Sequence, residues 1–205
     1  MKRILIVITV LVLSCGKKDT ENKTISVFGQ MELNDSAFYL IQNHSGNPES
    51  LQKAVIILDK VISENAENSG AVNNKISAQI KLNDFEGAIN TIDNTLENTK
   101  TNAASLVQFK GLLYRKTGND DSAVYNYEMA RELYHDILQH STDSLKRSFA
   151  IVNIASLTIF LGEREKGLAI LDSAIISNPA DSTLVFHREW MTDSSEEDFL
   201  ENVFQ

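Results

Sequence analysis

The sequence predicts an all-α protein of stacked helical hairpins, and three observations carry that expectation. From about Asp35 onward apolar residues recur three and four apart, as in Val55, Leu58, Val61 and Ile62 or Ile89, Ile92 and Leu96, which is the period of an amphipathic helix. Small residues recur in register. Ala54, Ala88, Ala123 and Gly167 stand 34, 35 and 44 residues apart, and each is followed four residues later by Leu58, Ile92, Tyr127 or Leu171. Only two prolines and nine glycines interrupt the 205 residues, so long helices are permitted.

The chain opens with a different kind of segment. Lys2 and Arg3 form a basic head, Ile4 to Leu13 form an apolar run broken only by Thr9, and Ser14 is a small residue ahead of Cys15, the one cysteine present. That layout is a secretion signal over residues 1–14. Ten residues at about 1.5 Å of rise fall short of a hydrocarbon core about 30 Å thick, so the run is not a membrane span. Val12-Leu13-Ser14-Cys15 resembles the lipobox of bacterial lipoproteins. The resemblance implies cleavage before Cys15, acylation of its sulfur and of the new amino group, and a stable membrane anchor. Its expected place is the cell envelope, on the outer membrane facing periplasm or cell surface. Lys17-Lys18-Asp19-Thr20-Glu21 is partly similar to a surface-export signal, which leaves the leaflet open. Gly16 to Thr24 has no apolar side chain and reads as a tether, so residues 15–34 form the lipidated link to the helical part.

Four helical hairpins are expected over residues 35–180. The fullest copy runs Val107-Gln108-Phe109-Lys110-Gly111-Leu112-Leu113-Tyr114 and continues through Gly118, Ala123, Tyr127 and Ala130, while the last keeps Ile154, Ala155, Gly162, Leu171, Ala174 and Pro179. These residues resemble the tetratricopeptide repeat (TPR). The resemblance implies a right-handed superhelix in which small residues sit where paired helices touch. Asn83, Gly118 and Gly162 are expected to end first helices in the left-handed conformation, with Asp84 and Asp120 as the following N-caps. The ten-residue excess in the last spacing is expected to lengthen the helices on either side of Ser141. Residues 181–205 then close the stack: Phe199, Leu200, Val203 and Phe204 share a helical face behind Ser194 or Ser195, as a solubility cap or as an aromatic docking strip.

Removing the signal leaves 17 basic against 28 acidic residues, a formal −11. Such a chain repels phosphate backbones, so nucleic acid is not an expected partner. There is no glycine-rich phosphate loop, no Gly-x-Ser-x-Gly elbow and no zinc motif, and His135 and His140 are spaced too poorly on a helix to clamp a metal. No catalysis, cofactor or small-molecule substrate is expected. Binding is. In TPR proteins the first helices line a concave groove, and carrying those positions over gives Asn73, Ser77, Ile80 and Lys81, then Gln108, Leu112, Arg115 and Lys116, then Val152, Ser156, Ile159 and Phe160. Lys81, Arg115 and Lys116 form a basic group that either meets a partner's carboxylates or caps helix C-termini. Two functions fit: an envelope adaptor that holds other proteins or peptides, or an immunity or inhibitor lipoprotein that captures a delivered toxin, for which the acidic charge suits a basic target.

Overall fold

In the computed structural model, residues 25–99 and 102–204 are described; Cys15 and the segment up to Thr24 lie outside them. The fold class is the expected one, but the first helix begins at Val27, inside residues 15–34 expected as the tether, because Ser26 caps it on the Gly29 amide and Gln30 is buried. Among the described residues ten helices succeed one another without a strand: α1 (Val27–Asn43), α2 (Pro48–Glu64), α3 (Ser69–Lys81), α4 (Phe85–Asn98) and α5 (Ala103–Lys116), then α6 (Asp120–His140), α7 (Ser144–Phe160), α8 (Arg164–Ser177), α9 (Ser182–Asp193) and α10 (Glu196–Val203).

Three of the hairpins turn by the same device. Asn83, Gly118 and Gly162 have φ of 59°, 76° and 86°. Asp84, Asn119 and Glu163 then return their amides to the carbonyls of Gln79, Tyr114 and Thr158 at 2.8–3.0 Å, which satisfies groups that the helix end would leave open. Asp84 caps α4 through its contact with the Gly87 amide, 2.9 Å. The N-cap of α6 is Asn119, not Asp120, because the cap is the residue directly after the left-handed one. The first hairpin differs. Its connection runs from His44 to Asn47, and Pro48 at the first position of α2 starts that helix a turn earlier relative to Ala54. α6 has 21 residues and α7 has 17, which absorbs the long spacing.

Packing is between neighbours, as in a solenoid. Ala37, Ile41, Leu51, Ala54 and Leu58 form the core of the first hairpin, and Val72, Ile76, Ala88, Ile92 and Leu113 that of the second. Tyr127, Tyr134, Ile154 and Leu157 dominate the third cluster, while Ala155, Leu171, Leu184 and Met191 tie α7 and α8 to α9. The small residues sit where close approach demands them. A Cβ on Gly111 would meet the Tyr127 ring at 2.5 Å, and one on Gly167 would meet the Ala155 carbonyl oxygen at 2.7 Å. From α1 to α9 successive helices pack closely, and α1 also meets α3 as α7 meets α9. The backbones of α3 and α5, and of α5 and α7, do not come together to the same degree. Those two gaps hold the candidate site.

Candidate functional site

On α3, Asn73, Ser77, Ile80 and Lys81 fall on one face because they repeat every three or four residues. Together with Asn102, Ser105 and Phe109 of the α5 side they line a cavity of about 830 Å³. Phe149, which is 53% exposed, and Phe204 complete it. A second hollow of about 270 Å³ lies between α5, α7 and α9, where Gln108, Val152, Ser156, Phe186 and Trp190 meet Phe199. The gaps between first helices are therefore real openings, and Phe199 of α10 and Phe204 directly after it contribute a ring to each.

The remaining candidates are engaged inside the protein. Gln108 is buried and accepts a hydrogen bond from the Tyr134 hydroxyl at 2.9 Å. Leu112 is buried in the core, and Ile159 packs where a Cβ on Gly167 would fall. Phe160 is buried against Tyr127, with ring centroids 5.6 Å apart, and on its other side lies Phe199 at 5.3 Å. Arg115 does not point freely outward with Lys81. Its guanidinium donates to Asp120 at 2.7 Å and to Glu196 at 3.0 Å and lies over the Tyr127 ring. Lys116 stands over the Phe204 ring, 5.6 Å from its centroid. Of the three cations, Lys81 alone has no ion pair or ring contact among the described residues, and it borders the larger cavity.

Periodicity did not disclose the groups that hold this arrangement together. Glu196 accepts from Arg115 and, at 2.9 Å, from the Tyr127 hydroxyl, across 81 and 69 residues of chain. As an acid in the first turn of α10 it also suits the helix dipole, which is the only role that its position in the sequence suggests. Burial, and next the Glu196 charge, hold the Tyr127 phenol far above its ordinary range, so it stays a donor. Around Arg115, burial disfavours the cation but Asp120 and Glu196 outweigh it. Phe204 rests edge-on against Phe85 at 6.0 Å and beside Phe109 at 6.1 Å, and Phe199 meets Trp190 at 5.9 Å. The face can thus hold a helical segment by one carboxylate and two aromatic rings.

No helix among the described residues is long and apolar enough to cross a membrane. No group of three or more His, Cys, Asp or Glu among them is placed to hold a metal ion. No protein-family model matches the chain, and no curated protein matches it. Among solved structures the chain is similar to the crystal structure of MamA, at 15% identity over 82% of this chain and 93% of that one, with a TM-score of 0.40. It is similar as well to a crystal structure of MamA protein, at 16% identity over 71% of this chain and 88% of that one, with a TM-score of 0.39.

Proposed function

We propose that the protein is a helical-repeat adaptor of the cell envelope, anchored to a membrane through a lipidated Cys15, that binds a protein or peptide segment on the face formed by α3, α5 and α7. The observation that supports this most directly is that the face already holds a peptide segment, the chain's own α10, through the Glu196 carboxylate and the Phe199 and Phe204 rings. Beside that segment the larger cavity stays open, with Asn73, Ser77 and Lys81 as its polar wall. A groove with an aromatic floor and a few polar groups suits a helix or strand of another protein. The work is done by holding, with no cofactor and no reaction.

Asn73 is exposed on α3, so Asn73→Trp fills the opening without disturbing the core. Affinity capture of the lipidated protein from native membranes should lose its principal partner by about tenfold or more in this variant, while helicity and melting temperature hold. An unchanged partner yield from Asn73→Trp would move recognition away from α3. A toxin as the captured partner would place the protein among immunity lipoproteins instead of assembly adaptors.

The anchor is tested separately. Cys15→Ala should abolish incorporation of a fatty-acid analogue and shift the protein out of the membrane fraction. Label retained by the Cys15→Ala protein would remove the lipid anchor from the proposal.

A further inference from the structure

The end of α9 is pinned, whereas α10 beyond it is held by few contacts. The Arg164 guanidinium donates to the carbonyl oxygens of Met191 at 2.7 Å, Thr192 at 2.5 Å and Ser194 at 2.9 Å, which ties the last turn of α9 to the start of α8. Past Ser194 the chain begins again as a self-contained helix. Ser195 and Asp198 form a reciprocal capping box, so the N-terminus of α10 needs nothing from the rest of the protein. None of its residues is fully buried. Among the described residues it hydrogen-bonds outside itself through Glu196 alone.

The face beneath is built more firmly than the helix that lies on it. Tyr127 is fully buried and aims its hydroxyl at the position that Glu196 fills. A docked helix that covers this hydroxyl without a carboxylate leaves it no protein acceptor in the hydrogen bonds observed, and Arg115 then keeps Asp120 alone. A donor covered by a docked helix and left unmet is costly, so the face selects a helix with an acid there. Phe160 with Trp190, and Phe85 with Phe109 under Lys116, make two further seats for rings. In α10 and the residue after it, Phe199 and Phe204 meet those two demands, three and eight positions from the acid.

We propose that this face is the recognition surface for an amphipathic helix of a partner protein, one with an acidic residue succeeded by large apolar or aromatic residues three and eight positions later, and that α10 is the built-in competitor such a helix displaces. The proposal rests on the reading of α3, α5 and α7 as a protein-binding face. It adds the partner's chemistry and a latch. Ser194-Ser195 is the pivot, since Arg164 holds everything before it.

The test uses the full chain and a fluorescein-labelled peptide of residues 194–204. In anisotropy titrations the peptide should bind the Phe199→Ala, Phe204→Ala double variant about tenfold or more tightly than wild type, because the wild-type face is already occupied. Glu196→Gln, a gentler change in the chain itself, should give an intermediate affinity. A peptide with lysine in place of the acid should bind neither. Equal affinities for wild type and double variant, or no binding to either at unchanged helicity, would overturn the proposal. The two readings fall separately. Asn73→Trp probes the α3 wall, which α10 leaves open, so failure of the peptide beside loss of partner in Asn73→Trp removes the latch and spares the groove.

Discussion

Tyr127→Ala is expected to cost about 3–5 kcal/mol of folding stability, the range for deleting a buried aromatic side chain. The ring is fully buried and sits in space that Gly111 leaves free, between α5 and α6. It also floors the site: Phe160 lies against it on one side, Arg115 stands over it, and its hydroxyl reaches Glu196. Alanine therefore opens a cavity where two hairpins meet and removes the support of α10 in the same step. Tyr127→Phe separates the two roles. It keeps the ring and deletes one hydrogen bond to a carboxylate that Arg115 still pairs, which should cost about 1 kcal/mol. Chemical denaturation of both variants decides the matter. Similar midpoints for Ala and Phe would mean that the ring is not structural.

The second large effect is expected from charge reversal at the end of α5. Arg115→Glu with Lys116→Glu places a carboxylate beside Asp120 and Glu196, where the guanidinium bridged them at 2.7 and 3.0 Å, and removes the cation above Phe204. Like charges at that separation repel, and Tyr127 can serve only one acceptor. We expect α10 to detach, with a loss of about 2 kcal/mol and faster hydrogen exchange over residues 196–203 while α1–α4 stay protected. Had Arg115 been a free groove cation, the double variant would leave stability unchanged. Hydrogen-exchange mass spectrometry that shows no difference in α10 would return Arg115 to that role.

Both variants act on contacts that differ in how far they could be read from the sequence. Register could be read, because it depends on residues close together in the chain. Ala54, Ala88 and Ala123 are fully buried and Gly167 is buried, each at the contact its spacing predicts. Asn83, Gly118 and Gly162 take positive φ for the reason that singled them out. Composition alone puts the N-cap of α6 one residue late, although comparison of Asn83-Asp84 with Gly118-Asn119 shows that the cap comes directly after the left-handed residue. The partner of Arg115 was beyond reach. A helical period says that Arg115 lies on the first-helix face, but not that Glu196, 81 residues later, comes back to meet it. Nor does the repeat report how far α3 stands from α5, and that gap decides which of the aligned positions open to a cavity and which are core.

The long reach of α10 has a kinetic consequence. Hairpins that touch only their neighbours close short loops and form early. Seating Glu196 on Arg115 and Tyr127 closes loops of 81 and 69 residues, so it follows the assembly of the stack. Each folding molecule therefore passes through an interval in which the stack is assembled and the seat of α10 is bare. On the proposed latch, an incoming helix meets no competitor in that interval, so a partner present while the chain folds is captured more readily than one that arrives after α10 has docked.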